Sequence, residues 1–374
     1  MVSQKIQLPR NLARDFLQYS CEQPEMKRNK HMKTIIHATR ILAAFAALTL
    51  ICTTSYGQRA DRGDVGASGG NTGGGTVFYV HSCCRTMRSM NSDGTNKIAY
   101  GVGTYGPPST VTFGGHRWFL NTANVDPLEF YPDGVARAEV FAFRDDYDYY
   151  NNDNSTTEVQ LTNDITLQTS GDGLYSVHWV PGGQKISFRA RRWNGTVVSE
   201  GGIYTGSLQF GPDGSIVGLL AQPTAPALPF SLDANSWPNV RTYGWDPAGS
   251  KIAYDDSATL GVADVAGSPH VIIYNGLSHT PQWSPDGTKI AFMNPNCSIV
   301  TIGPDGRGLK EIIRRTSAVT FDRPFWSPTG SHLVCYGVVV ATFDTDLFRA
   351  TSSGASLTNL TNSPSIAEMS MGWR

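Results

Sequence analysis

This chain has little that would mark a nucleic-acid binder, a metalloprotein or a membrane span. It carries 30 basic and 31 acidic residues among 374, a net charge of −1. A basic stripe or patch, the footprint expected of a nucleic-acid protein, is missing. Of its six cysteines, the four downstream of Gly57 (Cys83, Cys84, Cys297 and Cys335) show neither zinc-like spacing nor the density of a disulfide framework. A membrane-spanning helix needs about twenty apolar residues. The run Ile41–Cys52 has only twelve. There is no metal-ligand helix and no phosphate-binding glycine loop. Gly66-Ala-Ser-Gly-Gly70 matches the pattern of a hydrolase nucleophile elbow. That elbow requires a strand before the Ser and a helix after it. Here the match sits in a low-complexity stretch, so we read it as chance.

What the chain does have is a decaying repeat. Trp283-Ser-Pro-Asp-Gly-Thr-Lys-Ile-Ala-Phe292 recurs as Trp326–Cys335, Trp245–Tyr254 and Trp179–Phe188. Each copy predicts a β-hairpin. Pro presets φ at the turn, Asp or a small polar residue follows, and Gly supplies a positive φ. The return strand is rich in β-branched and aromatic residues. The Trp suits the space between neighbouring sheets.

Two more strands follow each hairpin. After Phe292 come Ser298–Ile302, a Gly303-Pro-Asp-Gly306 turn and Leu309–Ile313. Ile203–Phe210 with Ile216–Leu220, and Leu260–Asp264 with His270–Tyr274, repeat the plan. A four-stranded antiparallel unit of this length is a propeller blade, and the fold class is all-β.

Anchors at Trp179, Trp245, Trp283, Trp326 and Trp373, with a degenerate copy at Val111, are spaced 68, 66, 38, 43 and 47 residues apart. We place insertions in the two long gaps, at Asn121–Gly134 and Asp145–Asn154. Near the C-terminus Trp373 has one strand and no hairpin after it. Val77–Val80, Thr86–Met90 and Lys97–Tyr100 supply three strands near the N-terminus. We therefore expect six blades, the sixth split between the two ends of the chain, which removes the open sheet edge.

The Trp-Ser-Pro-Asp-Gly phrase, the Leu161-Thr162 and Leu360-Thr361 strand endings and the six-blade count resemble the TolB-type β-propeller repeats. The resemblance runs from about Val77 to Arg374. It implies a six-bladed propeller of that family. TolB itself carries an α/β domain before its propeller, for which only Gln58–Gly75 is available here. Its Pal-binding role is not carried over.

Upstream, Lys33–Arg40 is basic, Ile41–Cys52 is apolar, and Ser55-Tyr-Gly57 offers small residues for cleavage. This is the order of a secretory signal peptide, residues 32–57. Met32 sits where it should begin, which leaves 1–31 as an over-extended start or a disordered extension. Residues 58–76, Gly-rich, read as a flexible linker and 77–374 as the propeller. Cleavage after Gly57 leaves 317 residues with a net charge of −6. Cys335 reads as buried packing. The Cys83-Cys84 pair admits a metal site or a vicinal disulfide beside an ordinary loop, and we assign no metal. Asp145–Asn154 is oxygen-rich enough for calcium but lacks a calcium loop's spacing, so it reads as a solvated hairpin insertion.

Register supplies the candidate site. Four residues before each anchor the chain enters an inner strand at the channel mouth. Those residues are Tyr175, Arg241, His279, Asp322 and Met369. Convergent polar groups at a concave mouth are candidate ligand contacts, against the ordinary reading of loop residues. We expect an exported, non-enzymatic, monomeric propeller that binds a protein or cell-envelope component, with no cofactor and no nucleic acid. The alternative is a propeller enzyme, a glycan lyase or hydrolase, with residues around the channel. Fold alone does not choose.

Overall fold

The computed structural model describes residues 75–374 except 82–85, 104–110, 125–128, 132–133, 136, 145–157, 170–176, 183, 234–235, 266–269, 363–367 and 374. The chain divides at Val65/Gly66, and only the second unit contains described residues. The proposed signal peptide, residues 1–31, Gly66–Gly70, Cys83-Cys84, the Asp145–Asn154 loop and Tyr175 all lie outside them.

The described residues form six antiparallel sheets and no helix. Blade 1 runs through Val111–Phe113, His116–Asn124, Ala138–Arg144 and Glu158–Gln160. In blade 2 the strand Lys185–Trp193 carries two short inner strands, Leu167–Thr169 and Val177–Trp179. Outside it lie Val198–Phe210, then Ile216–Leu219 and Leu228–Pro229. Blade 3 comprises Thr242–Trp245, Lys251–Asp255, Thr259–Asp264 and Val271–Asn275. Blade 4 comprises His279–Trp283, Ile290–Met293, Ile299–Ile302 and Lys310–Ile313. Blade 5 comprises Val319–Trp326, His332–Val339, Thr345–Thr351 and Thr358–Asn359. Blade 6 joins Glu368–Trp373 to Thr76–His81, then Thr86–Asn91 and Ile98–Gly103. The split sixth blade is thus as expected. First strands of successive blades lie against one another from blade 3 to blade 6. The sheets therefore converge on their first strands, as a propeller requires.

The turn chemistry of the repeat is visible atom by atom. Gly287 has φ 70°, and its N–H donates to Ser284 O at 2.9 Å. Asp286 Oδ1 accepts from Thr288 N–H at 3.0 Å and from the Ser284 hydroxyl at 2.6 Å. Lys289 N–H closes the turn on Ser284 Oγ at 2.9 Å. Asp246 fills the same slot in blade 3, accepting from Lys251 N–H at 2.7 Å. In the degenerate copy, Val111 pairs with Trp118 as Trp283 pairs with Ile290. Its turn is the two-residue Gly114-Gly115, with φ 58° and 80°, the geometry of a tight hairpin.

The core lies in layers between blades. Trp283 is buried with Ala253, Val262 and Ile273 of blade 3 and Ile290, Phe292 and Val300 of its own blade. Trp245 Nε1–H donates to Ser187 Oγ in blade 2 at 2.8 Å, and Trp326 Nε1–H to Gln282 O in blade 4 at 3.1 Å. Each of these anchors therefore packs on the blade before it. Blade 3 also closes tightly on blade 4: a Cβ on Gly244 would sit 2.4 Å from Pro281 O. Backbone approach, not turn geometry, requires Gly there.

One expectation is corrected. The first insertion does not begin at Asn121, because the strand continues to Asn124 and Asn121 pairs with Phe141. Asn121 is buried, 4% exposed, so it belongs to the blade. Cys297 is disulfide-bonded, while Cys335 is free and buried.

Removing Met369–Arg374 takes away the strand that pairs with Thr76–His81. We expect the melting temperature to fall by about 10 °C or more, against almost no change for trimming an ordinary tail. Calorimetry on the truncated chain checks this.

Candidate functional site

The inner strands of blades 4 and 5 do not run straight into the rim. In blade 4 His279 pairs with Met293 and Gln282 with Ala291, so Thr280 and Pro281 together face Phe292. In blade 5 Asp322 pairs with Tyr336 and Phe325 with Val334, so Arg323 and Pro324 face Cys335. Both are β-bulges, and Pro fits there because it has no ladder N–H to lose. Thr280 and Arg323 have φ of 50° and 53°. For a β-branched Thr this is a strained conformation, at a cost of about 1–3 kcal/mol. A third irregularity lies between Phe78 and Tyr79 opposite the last strand.

The bulges re-aim side chains. His279 Nδ1 lies 3.1 Å from both carboxylate oxygens of Asp322. Asp322 Oδ1 also accepts from Arg323 N–H at 2.7 Å and from the Thr280 hydroxyl at 3.2 Å. Its Oδ2 accepts from the Tyr336 hydroxyl at 3.2 Å. Thr280 N–H donates to Thr242 Oγ1 at 2.9 Å, and that hydroxyl donates in turn to Asp255. One hydrogen-bonded chain therefore runs from blade 3 to blade 5. Arg323 caps it, its guanidinium 5.1 Å from the Tyr336 ring centre.

The electrostatics follow from this packing. Burial opposes charge on His279. Asp322, by charge and hydrogen bond, and Asp255 overcome it and raise the imidazole to about 9. Burial likewise opposes the Asp322 carboxylate. The adjoining His279, the Arg323 N–H and the Tyr336 hydroxyl hold it below the usual range. Asp255 is fully buried, and that burial pushes it up to about 6. Near neutral pH the rim thus holds an imidazolium–carboxylate pair. His279 is 28% exposed and Asp322 16%, so a ligand can reach the pair.

Of the five residues chosen by register, the structure brings together His279 and Asp322. Arg241 is exposed, and its charge reaches His279 and Asp255. It is not their equivalent in the ladder. The inner strand of blade 3 has no bulge, so Thr242, paired with Asp255, holds the matching position. Met369 pairs with Val80 in the last strand, and its side chain is outside the description. Thr242, Asp255, Thr280 and Tyr336 were missed. Pro281 and Pro324, each two residues before its Trp, were the available signal of a bulge. Among the described residues no group of three His, Cys, Asp or Glu side chains is placed to hold a metal ion.

A pH dependence follows. His279 has a folded value of about 9, above its ordinary 6.5. The folded state therefore holds the extra proton between those values, and stability falls as pH rises. This contribution is complete below about pH 6.5 and lost through about pH 9. Between them the melting temperature should drop about 2–4 °C more in the native protein than in His279→Gln. Calorimetry across that range checks it; parallel curves contradict it.

No family model matches the chain, and no curated protein matches it. Solved structures it is similar to include a putative TolB from Agrobacterium tumefaciens, at 15% identity and a TM-score of 0.45 over 80% of this chain and 91% of that one. TolB from Acinetobacter baumannii is 13% identical, with a TM-score of 0.47 over 81% of this chain and 68% of that one. An oligogalacturonate lyase from Vibrio parahaemolyticus is 12% identical, with a TM-score of 0.36 over 78% and 74%.

Proposed function

We propose that this is an exported binding protein whose propeller mouth docks a protein or other cell-envelope component. The observation that carries the reading is the His279–Asp322 pair, held across two blades by bulges and partly open to solvent. Strain and buried polarity concentrated at one rim favour a site over a purely structural role. Export is supported by the signal-like order of residues 32–57 and by the disulfide at Cys297, a bond that persists in oxidising compartments. The partner is expected to engage the rim without any cofactor.

The test is capture from the native envelope with the purified protein as bait. The native bait should retain a saturable partner. His279→Gln and Asp322→Asn, checked for unchanged folding, should each weaken retention about tenfold or more. Equal retention by native and variant baits contradicts the rim assignment.

A second reading, a propeller enzyme acting on a glycan, is favoured by one feature. His279 feels the charge of two carboxylates, Asp322 and Asp255, as an acid–base group often does. Asp255 is fully buried behind Thr242, and the imidazole is locked in an ion pair, so binding is the better fit. Under the enzyme reading, envelope glycan incubated with the protein yields new chain ends, and His279→Gln slows this by about 100-fold. Absence of turnover rules it out.

A further inference from the structure

Beside the rim pair lies a cavity of about 450 Å³ that the pair does not occupy. Arg189, Asp233, Trp237, Asn239, Arg241 and Asp256 are among the residues that line it. Its outer wall is a strap between blades 2 and 3. A bridge between Leu232 and Pro238 folds the strap back on itself. Trp237 N–H donates to Asp233 Oδ1 at 2.9 Å, and Asn239 N–H to Ser231 O at 2.7 Å.

The strap is fastened before any ligand arrives. Arg189, Arg191 and Trp193 alternate along one strand and so share a face. The Arg191 guanidinium lies 4.2 Å from the Trp237 ring centre and 5.6 Å from that of Trp193. Arg189 lies 5.7 Å from Trp237. Such cation–π stacking contributes about 0.5–2 kcal/mol per contact. Arg191 Nε–H also donates to Gln168 Oε1 at 2.7 Å. Arg189 donates to Val240 O at 2.9 Å and Arg241 O at 3.2 Å, which fixes the backbone at Arg241.

Two wall groups are left unengaged. The Arg241 guanidinium makes no hydrogen bond or ion pair among the described residues. Asn239 Oδ1 is buried without a hydrogen-bond partner, a state that native proteins rarely leave unexplained. A free guanidinium calls for a carboxylate, and a free amide oxygen calls for an N–H or O–H donor. The last residue of a peptide presents a carboxylate and a backbone N–H within a few atoms of each other. Trp237 and Pro238 offer apolar surface for its side chain, and the volume has room for a short terminal segment rather than a long one. A polyuronate also presents carboxylates, but it would bring one charge per sugar past Asp233, Asp256 and Asp322. A neutral chain ending in a single carboxylate avoids that repulsion.

We propose that this cavity captures the C-terminal carboxylate of a peptide or protein partner, with Arg241 pairing the carboxylate and Asn239 accepting the terminal N–H. This rests on the reading of the rim as a protein-binding surface and names the chemistry of the partner's end.

The experiment is calorimetric titration of the whole purified protein with N-acetyl-trialanine, its C-terminal amide and a digalacturonate. The acid should bind saturably, and the amide should bind about tenfold more weakly or worse. Arg241→Gln and Asn239→Ala should each weaken the acid about fivefold or more at unchanged melting temperature. Lys289→Gln, in an exposed turn of blade 4 away from the cavity, should leave it unaffected. Equal binding of acid and amide, binding of the digalacturonate alone, or no saturation by about 20 mM overturns the proposal. If the native protein binds the tripeptide acid but retains nothing from the envelope, the docking reading fails and this site stands. Capture that survives while the tripeptide fails to bind overturns this proposal alone.

Discussion

The ring depends on one ladder of backbone hydrogen bonds, between Glu368–Trp373 and Thr76–His81. Every other blade is built from consecutive strands that find each other locally. This one joins segments from opposite ends of the chain. Without it, blade 6 would lack its inner strand and blade 5 would lose the strand that its own inner strand packs against. The sheet edge would also be open, with unpaired N–H and C=O groups ready to template other chains. Contacts away from the hub reinforce the closure. Arg349 donates to Ser92 O at 2.5 Å, and a Cβ on Gly94 would lie only 2.8 Å from Leu360 O.

Closure lets the interior be distributed. Each blade buries one face against the next, and the repeat Trp fills the gap on the side of the preceding blade. Rigid layers of this kind can hold irregular backbone at one end. That is where Thr280 and Arg323 adopt left-handed conformations and where the chain from Asp255 to Tyr336 runs. A strained bulge gains its firmness from packed neighbours, and its reward is the direction in which His279 and Asp322 point.

Architecture was legible in the sequence because its signals are local. A Trp, a Pro and a Gly at fixed offsets specify a hairpin, and counting hairpins specifies blades. The split blade was legible because Trp373 has no hairpin after it while three strands near the N-terminus have no inner partner. The site was legible only in part. Offsets from the Trp assume straight strands, so a bulge of one residue makes Arg241 look like the counterpart of His279 when Thr242 holds that place. Asp255 reads as an ordinary strand-end acid, since nothing nearby in sequence reveals that Thr242 and Thr280 will cover it. The Cys297 disulfide was hidden for the same reason: pairing depends on distance in space, about which spacing is silent. Cys335, by contrast, is buried on its strand as its apolar neighbours suggested.

The split blade also bears on the cost of folding. Thr76–Gly103 forms three strands early in the chain, and their inner partner is nearly three hundred residues downstream. Their pairing with Glu368–Trp373 closes the longest loop among the described strand pairs. Contacts of such high sequence separation slow folding, because loop entropy is lost before the pairing compensates it. A chain that emerges from synthesis N-terminus first therefore stays open-edged until Glu368–Trp373 is free to pair. Its vulnerable period is the interval before closure, and it ends in a single docking event.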